Sequence, residues 1–156
     1  MTARTAKIVA EALDDLRDLA RGIYPPLLAD QGLAAALSAQ ARKAPLPVEV
    51  DSDGIGRFPQ EIEAAVCFCV LEALQNISKY AGANAARVRI GLHGHDLTFE
   101  VADDGKGFDS ERTPMGSGLQ NMADRLAALG GTITIRSRPG SGATVAGRIP
   151  TAASQA

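Results

Sequence analysis

The 156-residue chain has no tryptophan, only two tyrosines and four phenylalanines, and just two cysteines. So few aromatic rings argue against a nucleic-acid surface built by stacking bases. Net charge is also scarce. Sixteen Lys plus Arg against eighteen Asp plus Glu leave −2, which gives no electrostatic reason to expect nucleic acid or an anionic membrane as partner. Long hydrophobic runs are missing too: the longest, Ala64 to Leu71, has eight residues, far short of the roughly 18 to 20 that cross a bilayer. Arg4 and Lys7 near the start are followed by an amphipathic pattern with Asp14, Asp15 and Asp18, which is not a secretory signal. The chain therefore reads as cytoplasmic, with no membrane contact of its own. Cys67 and Cys69 stand two apart on an expected helix and point to nearly opposite faces, so they should not pair with each other. The only histidines, His93 and His95, have Asp96 alone beside them, too few ligands for a structural metal.

What is present is enough apolar residue, 46%, to pack one domain of ordinary size. From Thr2 to Ile23, Val9, Leu13, Leu16, Ala20 and Ile23 recur in steps of 4, 3, 4 and 3. That rhythm suits a helix on a globular core or, the reading favoured here, the end of a coiled-coil or bundle arm stopped by Tyr24-Pro25-Pro26. A second helix is expected over Leu28 to Lys43, before Pro45 and Pro47. Val48 to Val50 read as a short strand, and a third helix runs from Gln60 to about Tyr80. Arg87 to Leu92 and Leu97 to Ala102 alternate as a hairpin. Leu119 to Leu129 forms a helix ended by Gly130-Gly131, and Thr132 to Ser137 and Ala143 to Ile149 are a last strand pair. Helices interspersed with antiparallel strands give an α+β class.

The third helix is apolar almost all round, yet Glu72, Asn76 and Lys79 fall at i, i+4 and i+7 in one narrow stripe. A solvated edge would explain such a row on a surface helix; on one this apolar it suggests a site. Two glycine clusters follow the hairpin, Asp103-Asp104-Gly105-Lys106-Gly107-Phe108 and Gly116-Ser117-Gly118-Leu119. A dinucleotide fingerprint would need a further glycine where Ser110 or Asn121 stands, and a Walker A loop would need Ser or Thr where Gly107 follows Lys106. A nucleotide site here is therefore not a P-loop. Gly116 and Gly118 still allow backbone N–H groups to approach an anion, with the dipole of the helix opening at Leu119 behind them.

In order and spacing, Glu72-x-x-x-Asn76-x-x-Lys79, Asp103-x-Gly105-x-Gly107, Gly116-x-Gly118-Leu119 and Gly142-x-Thr144 resemble the N, G1 and G2 boxes of the ATPase superfamily shared by gyrase, the ninety-kilodalton heat-shock chaperone, histidine kinases and MutL proteins. Within it the chain is most similar to the catalytic, ATP-binding domain of sensor histidine kinases of the nitrate-sensor and DesK-like class. The entry Leu16-Arg17-Asp18-Leu19-Ala20-Arg21-Gly22-Ile23-Tyr24-Pro25, the run Gly32-Leu33-Ala34-Ala35-Ala36-Leu37 and Gly118-Leu119-x-Asn121-Met122-x-x-Arg125 support that class. The resemblance spans Leu13 to Pro150.

It implies a two-layer α/β sandwich of the Bergerat type: a mixed, mostly antiparallel sheet with helices on one face, preceded by an N-terminal helix. Residues 1–24 would be the end of the second dimerisation helix and its hinge, 25–150 the ATP-binding domain and 151–156 a disordered tail. It implies Mg²⁺ coordinated by Asn76, Glu72 as base or polarising group, and Lys79 near the phosphates or as a rim charge. Asp103 would accept the adenine amine, supported by the Thr144 hydroxyl. Gly105 and Gly107 would pass close to the base. Phe108 to Met115 would be an ATP lid hinged at Gly116 and Gly118, with Leu119 opening the helix beside the phosphates. The implied reaction is transfer of the γ-phosphoryl group of Mg·ATP to a histidine of a dimerisation domain, in a homodimeric parent, and thence to a response regulator. Two departures stand out. Tyr80 occupies a place where many relatives have His, and no histidine precedes His93, so the acceptor is expected on a longer parent of which this chain is a fragment. An anti-sigma-factor-type serine kinase and a nucleotide-holding scaffold are the competing readings.

Overall fold

The computed structural model describes Arg17 and residues 26–52, 54–78, 82–106 and 117–151. The expected N-terminal helix, its hinge and the lid lie, Arg17 aside, outside the described residues.

The second expected helix is two: α1, Pro26–Gln31, and α2, Leu33–Lys43. They are divided at Gly32, whose φ of 89° is a left-handed value that suits glycine. The apolar pattern runs through the break, because Leu28, Leu33, Ala36 and Leu37 from both pieces are buried in one core. Strand β1, Val48–Asp51, leads through an irregular segment to α3, Gln60–Asn76. Glu61 and Glu63 in the first turn of α3 complement its dipole. Ile77 and Ser78 continue it as a wider turn immediately after Asn76. The hairpin β2, Ala86–His93, and β3, Asp96–Asp103, turns on Gly94-His95. Helix α4, Ser117–Ala127, precedes the second pair, β4, Thr132–Ser137, and β5, Ala143–Pro150.

The five strands form one sheet in the order β1-β2-β3-β5-β4. Only β1 and β2 are parallel; the other three pairings are antiparallel. Period-two alternation sorts the two faces. Val88, Ile90, Leu97, Phe99, Val101 and Ile149 are buried against α3 and the rest of the helical layer, joined there by Met122 and Leu126 of α4. Arg87, Arg89, Glu100, Thr132, Thr134, Arg136 and Arg148 stand exposed on the other face. The fold is the expected mixed, mostly antiparallel sheet with helices on one side. Thr151, expected to begin a frayed tail, is buried instead. Its N–H and its hydroxyl both donate to the His95 carbonyl, at 2.8 and 2.6 Å. Among the described residues no helix is long and apolar enough to cross a membrane.

Candidate nucleotide site

α3 supplies the polar stripe. Glu72, Gln75 and Asn76 are half-buried on a helix whose residues from Ala65 to Leu71 are all buried. Helix α4 packs along this side of α3. The Cys69 Sγ lies 4.0 Å from the Met122 carbonyl, and the Arg125 guanidinium stacks 4.1 Å from the Phe68 ring centroid. Burial between the helices pushes the Cys69 thiol from its ordinary 9.0 up to about 12; nearby Glu72 adds to the rise and Arg125 opposes it. One turn beyond Cys69, the Glu72 carboxylate lies against Gly118, the second residue of α4. Two boxes some forty-five residues apart in sequence thus meet directly.

The third component is the end of β3. Asp103 Oδ1 accepts the Gly105 N–H at 2.8 Å, closing a tight turn, and among the described residues no hydrogen bond occupies the other oxygen. Asp104 turns the opposite way, accepting the Asn84 and Ala85 N–H groups at 2.8 and 3.0 Å. These bonds, Ala85 first, hold its carboxyl below the usual carboxylate range. They tie the chain leaving α3 to the end of β3. From the other side the Lys106 carbonyl accepts the Gly140 N–H, and the Ser137 hydroxyl donates to the Gly142 carbonyl at 3.0 Å. Gly142, at φ 72°, lies so close to the Asp103 carbonyl that a Cβ would collide with it. The Gly142-x-Thr144 motif is therefore needed here for its glycine.

The strand register does not bring Thr144 to Asp103. Thr144 pairs with Ala102, while Asp103 pairs with Ala86 and Ala143. Asp103 continues the helix-side row Leu97, Phe99, Val101, so Thr144 belongs to the opposite face. The expected hydroxyl support for Asp103 is corrected on that ground: Ala143, with no hydroxyl, occupies the facing position. Lys79, Tyr80, Gly107 and Gly116 lie outside the described residues. Gly105 is buried, and Leu119 packs against the core from the first turn of α4.

Two contributors are not evident in the sequence. The Gln75 amide nitrogen is closed off from solvent and, among the described residues, has no hydrogen-bond partner, a condition that costs about 1–3 kcal/mol. Its signal was its place three residues after Glu72, within the same polar arc. Glu63, in the first turn of α3, is fully buried. It accepts from Arg57 Nε at 3.1 Å, Arg57 Nη2 at 3.2 Å and the Phe58 N–H at 3.3 Å. Arg57 also donates to the Ala29 and Asp30 carbonyls, and its stem fills the space beside Gly32, fastening α1 to α3. The charge pair raises the Arg57 pKa further.

A trough of about 890 Å³ lies on the other face of the sheet, between Arg89, His93, Glu100, Thr134 and Arg148. Charges of both signs line it, and Arg148 is paired with Asp96 at 2.9 Å. It is remote from α3 and its stripe, so volume here does not mark the chemistry.

The donor set fits Mg·ATP. Asp103 offers an acceptor oxygen that is unpaired among the described residues, suited to an exocyclic amine, and Asn76 a neutral hard oxygen.

Residues 61–153 match the family described as histidine kinase-, DNA gyrase B- and HSP90-like ATPase. The signal transduction histidine-protein kinase/phosphatase DegS of Brevibacillus brevis is 34% identical over 150 residues, covering 92% of this chain and 39% of DegS. The chain thus spans about two fifths of that curated relative. Among solved structures, the blue-light activated histidine kinase of Erythrobacter litoralis EL346 superposes with a TM-score of 0.68 at 18% identity, covering 99% of this chain and 62% of that one. The Acinetobacter baumannii histidine kinase AdeS gives 0.58 at 18% identity, over 92% of this chain and 77% of its own. These two likenesses establish the fold alone.

Proposed function

We propose that this chain, which belongs to the histidine kinase-, DNA gyrase B- and HSP90-like ATPase family, is the ATP-binding catalytic part of a two-component sensor histidine kinase. The observation that carries this reading is the meeting of Glu72 on α3 with Gly118 at the start of α4, which joins two boxes of the motif. The similarity to DegS favours histidine as the acceptor.

In this reading the free oxygen of Asp103 accepts the adenine amine, which selects adenine over guanine, and the turn closed by Gly105 lets the backbone lie along the base. Asn76 holds Mg²⁺ through its amide oxygen. Bound Mg²⁺ offsets negative charge on the phosphate oxygens. Lys79, Gly107 and Gly116 complete the phosphate side, as the motif implies. A histidine nitrogen of a dimerisation domain attacks the γ-phosphorus, the bond to the bridging oxygen breaks, and ADP leaves. Glu72 orients the imidazole and takes the proton from its other ring nitrogen. Positioning and charge stabilisation supply most of the rate. The phosphoryl group then passes to an aspartate of a response regulator.

Incubation with radiolabelled ATP and a separately supplied dimerisation domain tests the proposal. Acid-labile label on that domain is expected, with none on this chain alone. ATP binding without transfer would instead indicate a nucleotide-holding scaffold, and acid-stable label on a serine substrate an anti-sigma-type kinase.

A further inference from the structure

Gly118 does not need to be glycine for its backbone. Its φ is not among the positive values, which fall at Gly32, Gly54, Gly82, Gly94, Gly130, Gly140 and Gly142 among the described residues. In the first turn of a helix with ordinary φ, alanine is the better residue. The reason for glycine is spatial. A Cβ built there would lie 3.2 Å from Glu72 Cδ, 3.4 Å from Glu72 Cγ and inside contact distance of Oε1, where carbon atoms normally rest about 3.5–4.0 Å apart. The side-chain volume missing at 118 is the volume the carboxylate occupies.

We infer that Gly118 is a positioning residue for Glu72: it leaves the space in which the carboxylate of the proposed base is held, rather than serving only backbone approach to phosphate. The inference rests on the proposed function for the role of Glu72, but not for the contact. Helix α4 cannot slide away to make room, because Met122 is fully buried and Arg125 is stacked on Phe68 farther along the same interface. A methyl group at 118 must therefore turn Glu72 to another rotamer.

Four chains test this: wild type, Gly118→Ala, Glu72→Ala and the double variant. With the dimerisation domain supplied, Gly118→Ala should slow transfer at least about tenfold, with the Kd for a fluorescent ATP analogue changed less than about threefold. In the Glu72→Ala background the same substitution should slow transfer no further. It should there raise the Tm by about 2 °C, the usual gain from alanine in a helix, whereas in wild type it should leave the Tm unchanged or lower. Equal slowing in both backgrounds, a loss of ATP affinity matching the loss of rate, or an equal Tm gain in both would overturn the inference. Should Glu72→Ala transfer at the wild-type rate, the reading of Glu72 as base fails, and the melting temperatures still decide the contact.

Discussion

Glu63 and Glu72 bracket the longest apolar run of the chain, on the same helix, and the fold uses them in opposite ways. Glu63 is buried, with three N–H donors in place from Arg57 and Phe58. Glu72 is half-buried, rests against a glycine, and among the described residues makes no hydrogen bond. A buried carboxylate engaged by three fixed N–H donors is committed to holding the fold; one held by shape alone keeps its oxygens for a ligand. Burial by itself therefore does not mark a functional carboxylate. The distinguishing feature is what remains unpaired.

The comparison breaks most sharply on mutation. Glu72→Gln should reduce transfer about 10²–10⁴-fold while leaving the urea midpoint within error of wild type. Glu63→Gln should do the reverse. It should lower stability by about 2–3 kcal/mol, the loss for a broken buried pair discounted because Arg57 is half exposed and regains water. ATP affinity of the folded protein should persist. A rate loss from Glu63→Gln larger than the unfolded fraction explains would erase the distinction.

Asp103→Asn sharpens the contrast at a third carboxylate. An amide still accepts the Gly105 N–H, so the turn and the fold survive. The adenine amine then faces a donor, and affinity for a fluorescent ATP analogue should fall roughly 10- to 100-fold; an unchanged Kd would remove Asp103 from the base site. Asn76→Ala should weaken binding several-fold in Mg²⁺ and little in EDTA, and equal losses in both would contradict its metal role. The smallest effect concerns Cys69. Its thiol is raised from 9.0 to about 12 in the folded chain, so between those values the folded state binds the proton that the unfolded state has released. Stability from this group is complete below pH 9 and declines as pH rises toward 12. Cys69→Ala should show a shallower alkaline decline in thermal unfolding than wild type.

Much of this architecture is written locally. Alternation in Arg87–Leu92 and Leu97–Ala102 set the hairpin and its buried face, and the turn moved each strand end by only one residue. The four-residue step from Glu72 to Asn76 placed both on one face because helix geometry requires it. The break at Gly32 was hidden because the apolar pattern crosses it undisturbed, and only the arrival of Arg57 beside Gly32 gives the glycine its use.

The sequence by itself determined the order of the boxes, the class of the fold and the identity of the polar stripe, since each depends on spacings of a few residues. The tertiary structure decided which oxygen finds which partner. One residue of strand phase puts Ala143, not Thr144, opposite Asp103. Contacts across 6 residues at Arg57–Glu63 and 20 at Asn84–Asp104 engage two carboxylates that look as available as Glu72 when read in line. Strand and helix periods are local properties of the backbone, whereas the pairing of a carboxylate depends on which other segment packs against it.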